Sequence, residues 1–556
     1  MRTYTRRAML GAGLGLAGTG LLAACSSSGP GRHGPSADGF VSPDGPQVAA
    51  AERRRGSGPL RQVRLTATES TLDLGGPKVR SWSYGGQLPG REIRVTAGDT
   101  LEALLVNHLP EPTTAHWHGL TLRNDMDGVP DVTQRAVAPG ARFAYRFTVP
   151  HPGTYWLHPH TGVQQDRGLY APLIVEDPKE PLRYDREWVV VLDDWVDGVD
   201  GSTPDAVLGG MSSGTHGGHG TGGHGGPGNG GHGTGGHGGP GNGGHGTGGH
   251  GGSGGHGTGG DDRDGMSDMP GMGAMGFSAP GPSRMLMGAT SGLLGGDAGD
   301  VAYPYYLVNG RIADDPQTFT AKPGERLRIR LINAGGDTAF RVALGGHRMT
   351  VTHADGLPVA HTTADSLLLG MGERYDVLLT AGDGVFPLVA LAEGKNAVAR
   401  AVLRTATGEA PGKDARPAEL DRAPLTAGRL RAAPCVALPA KRPDTTVALR
   451  LTGGMAKYDW GFNGERYDPA RRIPVRSGDR VRLSFRNDTA MWHPVHLHGH
   501  AFALPNGGPR KDTAIVLPRQ TLDVEFDADN PGLWMIHCHN VYHAESGMMA
   551  LLGYRR

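Results

Sequence analysis

Apolar and polar residues alternate through most of the chain, as in Glu92-Ile-Arg-Val-Thr96, Leu101-Glu-Ala-Leu-Leu-Val106 and Phe143-Ala-Tyr-Arg-Phe-Thr-Val149. Successive side chains of a strand point to opposite faces, so this period of two predicts half-buried strands. The runs are short and are separated by Pro- and Gly-containing turns, which predicts antiparallel sandwiches. No stretch carries a long amphipathic helical period. One phrase occurs three times, as Thr96-Ala-Gly-Asp-Thr-Leu, Lys322-Pro-Gly-Glu-Arg-Leu and Arg476-Ser-Gly-Asp-Arg-Val. Each reads as a turn feeding a strand, with an asparagine following at 107, 333 and 487. Three copies predict three similar β-sandwich domains, at 61–182, 183–410 and 441–556, with 411–440 as linker. The length of 556 residues agrees, since it suits three to four domains of ordinary size.

The alternation fails in three places. Residues 1–24 carry Arg6 and Arg7 before a Gly-rich apolar run, which resembles a twin-arginine export signal. Leu22-Ala-Ala-Cys25 resembles the site at which bacterial lipoproteins are cleaved and lipidated, and an uncleaved membrane anchor is the alternative. Either predicts a protein outside the cytoplasmic membrane, held by a lipid on Cys25 or by the anchor, in the periplasm or cell wall. Residues 25–60, rich in Ser, Gly, Pro and Arg, read as a flexible tether.

The third break is a low-complexity insertion at about 205–300 in the second domain. Eight histidines stand in a glycine matrix from 216 to 256, followed by Met266, Met269, Met272, Met275, Met285 and Met287. With little to bury, the glycine-rich part is expected to be disordered. Imidazoles suit Cu(II) and thioethers suit Cu(I), so a copper-gathering role is the functional expectation and a featureless insertion the alternative. This segment accounts for much of the chain's 93 glycines, far above a usual share of about 7%.

Charge excludes one class of partner. Lys plus Arg and Asp plus Glu are both 55, so nothing in the balance points to nucleic acid. Only three cysteines occur, at 25, 435 and 538, and no structural disulfide is expected; Cys435 lies in a proline-flanked connector and reads as inert.

The densest chemistry lies between Met535 and Met548, where His537, Cys538, His539, His543 and Met548 combine imidazole, thiolate and thioether, a donor set that suits copper. On an extended strand His537 and His539 face one way and Cys538 the other, so one strand can serve two metal centres. Two imidazoles, a thiolate and a weak axial methionine make a blue-copper site; Met549 competes with Met548 for the last place. Further histidines stand at His493, His496, His498 and His500, and in the pairs His116/His118 and His158/His160.

Together these four stretches resemble, in order and internal spacing, the motif set of the multicopper oxidases. The resemblance covers about 60 to 556 apart from the histidine tract, and is strongest toward actinobacterial copper-tolerance lipoproteins, as in Trp188-Val-Val-Val-Leu-Asp-Asp-Trp195 and Tyr303-Pro-Tyr-Tyr-Leu-Val-Asn-Gly-Arg311. It implies three cupredoxin-like Greek-key sandwiches, the middle one without catalytic copper, and four coppers per chain. His493, Cys538, His543 and Met548 would hold the type 1 copper, and His116 and His496 the type 2. His118, His158, His160, His498, His537 and His539 would hold the type 3 pair, and His500 no metal. Asp127, in Asn124-Asp-Met-Asp-Gly-Val-Pro130, matches the family's proton-delivering acid, with Asp125 as alternative. The acid that many bacterial members carry directly after the type 1 histidine is replaced by Ala544, leaving Glu545 as candidate for a second proton donor.

The implied activity is one-electron oxidation of Cu(I), phenols or Fe(II) coupled to four-electron reduction of O2 to water, in copper tolerance. A laccase-like phenol oxidase or ferroxidase is the alternative. From another class, a copper-sequestering surface lipoprotein would bind copper without consuming O2. A division-associated cupredoxin scaffold would lack these ligands, and a copper nitrite reductase would not use the His-Cys-His arrangement.

Overall fold

A computed structural model describes residues 39–213 and 282–556. The leader with Cys25, the histidine tract and Met266 through Met275 lie outside the described residues. Within them, strands form three sandwiches in chain order, as the alternation predicts.

The first sandwich packs a sheet ordered Lys78–Tyr84, Leu60–Asp73, Thr100–Asn107, Arg142–Thr148 against one ordered Ile93–Thr96, Ala171–Glu176, Gly153–His158, His116–His118. The second and third each pair a six-stranded with a five-stranded sheet. The repeated phrase occupies one place in all three. Each copy ends in a strand, Thr100–Asn107, Arg326–Asn333 and Arg480–Asn487, that pairs in parallel with the strand opening its domain. The turn glycines, Gly98, Gly324 and Gly478, have φ between +83° and +94°, where a side chain would be strained.

The terminal asparagines show why that residue recurs. Asn107, Asn333 and Asn487 are fully buried, and each amide donates to two backbone carbonyls while its oxygen accepts one backbone N–H. An apolar residue would leave those buried backbone groups unpaired, at about 1–3 kcal/mol each.

Two boundaries differ from expectation. The stretch read as tether is structured from Gly39 onward, with a helix at Pro46–Arg55. Its Val48 and Ala51 are buried, Glu52 accepts from Thr148 N at 2.7 Å, and Arg55 donates to Asn530 at 2.8 Å. Burying one such valine contributes roughly 1.5 kcal/mol or more, a gain that composition averaged over 25–60 conceals. The expected insertion is likewise ordered at both ends. A helix at Pro204–Ser212 buries Val207 and Met211, and residues 284–302 form a hairpin through Leu286 N to Asp300 O and Ala302 N to Arg284 O.

The middle sandwich is pinned to the first by a buried ion cluster. Asp376 pairs with Arg328 and Arg330 at 2.6 and 3.0 Å and accepts from Thr154 Oγ1 at 2.6 Å. Of the two described cysteines, Cys435 is exposed and Cys538 fully buried.

Candidate metal centres

The sheet holding His493–Leu497 and Leu533–Cys538 positions both centres. Its register sets Val495 against Cys538 and His496 against His537. Alternation then sends Val495, Leu497, Ile536 and Cys538 into the domain core and His496, His498 and His537 to the opposite face.

On the core side, His493 and His543 bring their Nδ1 atoms to 3.1 Å of each other and to 3.6 and 3.7 Å of Cys538 Sγ. All three are fully buried, as is Met548, whereas Met549 is only half-buried. The asparagine that follows the motif shapes the loop: Asn540 caps the helix Val541–Ser546 through Tyr542 N and His543 N, turning His543 back toward Cys538. Each imidazole has its far nitrogen held. His493 Nε2 lies 2.9 Å from Thr489 Oγ1, and His543 Nε2 lies 2.9 Å from Asp300 Oδ2. Burial lowers His493 well below the ordinary histidine range. Burial would lower His543 too, but Asp300 and the Cys538 thiol outweigh it and push His543 up to about 10. The Trp460 ring lies over His543 at 4.3 Å.

Across the sheet, eight imidazoles meet between the first and third sandwiches: His116, His118, His158 and His160 from one, His496, His498, His537 and His539 from the other. Three groups of three have nitrogens within 4.8 Å of one another, His116/His496/His498, His116/His118/His158 and His160/His498/His537; they share members and cut across the expected type 2 and type 3 sets. The outer nitrogens are fixed. Nδ1 of His116, His158, His496 and His537 faces the backbone carbonyls of Asp127, Pro159, Asp512 and Cys538 at 2.8–2.9 Å. A carbonyl only accepts, so Nδ1 carries the proton and the Nε2 lone pair is directed inward.

Those inner atoms test whether copper fits. Nε2 of His116, His158, His160 and His496 is buried without any hydrogen-bond partner. Nε2 of His498 and His537 face each other at 3.1 Å, and His118 Nδ1 faces His539 Nε2 at 3.2 Å. A buried unpaired nitrogen is costly, and outward hydrogen bonds with inward lone pairs are what metal-ligating histidines present. Burial first and neighbouring imidazoles second hold His158, His498 and His537 well below the ordinary range, and His160 down to about 3, so these rings are neutral as ligands must be. The donor set fits copper.

Asp127 is buried within this cluster, with Oδ2 at 2.9 Å from His498 Nδ1 and Oδ1 at 3.2 Å from His116 Nδ1. Asp125 instead pairs with Arg123. Glu545 lies on the helix Val541–Ser546, where burial and then Asp205 push it up to about 7, and no hydrogen bond joins it to the cluster among the described residues. His500 is satisfied by His498 O and Tyr554 Oη.

Sequence analysis missed several partners. Asp512 Oδ1 lies 3.1 Å from His118 Nε2, which leaves His118 only Nδ1 to direct inward, and Arg374 grips Asp512 through two contacts of 2.7 Å. Asp300 and Thr489 were also unassigned. Lys511-Asp512, a charged pair just before the strand Thr513–Val516, is a weak signal for the first; none marks Asp300. From the middle domain, Gly372 (φ +82°) lies where a Cβ would come within 2.8 Å of His539 and 3.0 Å of His118, so only glycine lets this backbone pack on the imidazoles.

Two β-sandwiches sharing a histidine-lined interface, with a thiolate site behind one of them, define a copper-dependent oxidase. Three multicopper oxidase family profiles match residues 66–180, 277–408 and 440–555, and the chain belongs to that family of oxidoreductases. It is 44% identical over 557 residues to "Multicopper oxidase MmcO" of Mycobacterium tuberculosis, spanning 100% of this chain and 97% of that one. It is 28% identical to "Copper resistance protein A homolog" of Pseudomonas syringae pv. tomato, over 87% and 90% of the two chains. Among solved structures, a multi-copper oxidase from Pseudomonas thermotolerans superposes with a TM-score of 0.61 at 25% identity, covering 89% of this chain and 99% of the other. Fet3p, described as functioning in iron import, gives 0.67 at 20% identity over 89% and 90%, a likeness of fold.

Proposed function

We propose that the protein oxidises Cu(I), with phenols and Fe(II) as further donors, and reduces O2 to water, in copper tolerance. The observation that carries this is the register placing Cys538 and His537 on opposite faces of one strand. His493, Cys538, His543 and Met548 would hold one type 1 copper, His116 and His496 the type 2, and His118, His158, His160, His498, His537 and His539 the type 3 pair, four coppers in all. Copper held there supplies one-electron exchange at the thiolate site and dioxygen binding at the cluster.

The chain supplies the rest. The backbone from Cys538 to His537 and His539 is a short covalent path between the two sites. Burial of seven of the eight imidazoles, with His160 half-buried, limits access of bulk water, and Asp127, whose Oδ1 accepts no hydrogen bond, offers a proton-holding atom beside His116 and His498. Cu(I) is favoured as donor because Met285 and Met287 flank Leu286, whose N–H donates to Asp300 O, and Asp300 touches His543. The 71% exposure of Met287 leaves one thioether open to solvent. The copper-resistance names of relatives point the same way. Twin-arginine export and a lipid on Cys25 would place the activity on the outer face of the cytoplasmic membrane.

Oxygen uptake by copper-loaded protein, with Cu(I), Fe(II) and a methoxyphenol compared side by side, tests the proposal. Uptake fastest with Cu(I) supports it. Copper binding without uptake replaces it with sequestration, and uptake fastest with the phenol or Fe(II) reassigns the donor.

A further inference from the structure

The histidine cluster takes its two halves from separate sandwiches, so some contact has to fix how far apart they stand. Two asparagines, Asn124 and Asn530, are buried on that seam, and neither belongs to the ligand set or to the threefold repeat. Asn530, in the third sandwich, donates through Nδ2 to Gly499 O of its own domain at 3.0 Å and to Leu122 O of the first domain at 3.1 Å. Gly499 directly follows His498, and Leu122 lies between His118 and Asp127. Asn124 makes the reciprocal reach. Its amide pairs with both backbone groups of Leu533, accepting from N at 2.8 Å and donating to O at 2.6 Å. Leu533 opens the strand that carries His537 and Cys538, and Asn124 opens the turn that ends at Asp127. The approach is close, since a Cβ at Gly532 would come within 2.4 Å of the Asn124 side chain.

The orientation of Asn530 is set from outside. Its Oδ1 accepts from Arg55 Nη2 at 2.8 Å, and a guanidinium only donates, so Nδ2 is left to face the two carbonyls. Arg55 is itself paired at 2.9 Å with Glu52, which accepts from Thr148 N of the first sandwich. The residues ahead of this helix reach the third sandwich. Val41 N donates to Tyr554 O at 2.8 Å, and Phe40 packs with Val129 and Val132 of the first domain and Leu533, Met535 and Leu551 of the third. Apolar packing alone lets two surfaces slide, whereas directed bonds reaching from both sides specify one register.

We propose that Asn124 and Asn530 are positioning residues that set the separation of the two histidine halves, with Arg55 holding Asn530 in its donating orientation. The proposal rests on the reading of the cluster as a copper site and names what holds that site to its dimensions. The stretch between Gly39 and Arg55 thereby takes part in assembling the cluster, although it supplies no ligand.

Asn530→Asp and Asn124→Asp test this, because each keeps the size of the side chain and one accepting oxygen but turns a second acceptor toward backbone carbonyls. In metal-free protein, hydrogen exchange is expected to quicken at the Leu533 amide and across 120–127, and to stay unchanged in the strand Arg326–Asn333 of the middle sandwich. In copper-loaded protein, the blue absorption is expected to remain while copper in the cluster binds about tenfold more weakly against a chelator. A larger share of the bound Cu(II) should also become visible to electron paramagnetic resonance, since two Cu(II) ions pair their spins only when held close together. Loss of stability alone would not change that share. Where an aspartate variant does not fold, Arg55→Leu takes its place, with the same signs at smaller amplitude. Unchanged exchange across the seam, unchanged cluster affinity, or equal loss of copper from both centres in a folded variant overturns the proposal. Failure of the unaltered protein to bind copper at the histidines would sink the cluster reading instead and leave the metal-free exchange result standing.

Discussion

The two candidate centres share a strand and are built by opposite means. The thiolate site draws His493, Cys538, His543 and Met548 from one sandwich, behind one sheet, with outside help from Asp300 on His543 and from Asp337 and Gly336 on the turn at Asn540. The histidine cluster takes half its imidazoles from each of two sandwiches, and its outer contacts reach a third through Arg374 and Gly372. The first centre requires that a domain fold. The second requires in addition that domains dock, so damage to docking and damage to folding should separate the two.

The largest effect is expected from Cys538→Ser. It should abolish the absorption near about 600 nm and turnover with one-electron donors while leaving about three coppers per chain bound; loss of all copper would mean the centres are not independent. Next is Arg374→Leu, which leaves the buried Asp512 carboxylate unpaired. A cost of about 3–5 kcal/mol in stability is expected, with cluster copper lost and the blue absorption kept. Thermal unfolding and copper content read this, and equal loss of both centres would break the distinction. Asp300→Asn should act on the thiolate site alone, weakening its copper about 10–100-fold, as changes behind a ligating histidine do. Metal competition against a chelator measures it.

The smallest effect is an acid one at the domain contact. Burial would raise Asp376, but Arg330 and Arg328 outweigh it and hold its carboxyl well below the usual range. A depressed folded value means that stability is fully present above the unfolded pKa of about 3.9 and is lost as pH falls below it. The unfolding temperature should therefore drop between about pH 4 and 2, less steeply in Asp376→Asn; identical slopes would remove this contact from the account.

Local pattern made the metal centres legible. Four histidine stretches lie within short spans, and strand alternation alone predicts that Cys538 and His537 part to opposite faces. The threefold asparagine was visible too, though its double carbonyl contact was not. What stayed hidden depends on distant segments. Asp300 lies 243 residues from His543 and Asp512 lies 394 from His118, and neither sits in a pattern that announces its partner. The tether was misjudged for a related reason. Serine and glycine dominate an average over 25–60, whereas Val48 and Ala51 on one helical face decide whether the later part packs. Glu545 was chosen by nearness in sequence to His543, and among the described residues no hydrogen bond ties it to the imidazoles.

The contrast between the two described thiols supplies a built-in reporter. A small alkylating reagent should modify Cys435 at once and reach Cys538 only when the third sandwich opens. The delay between those labels times the breathing of the domain that holds the candidate thiolate site, with no metal or substrate added.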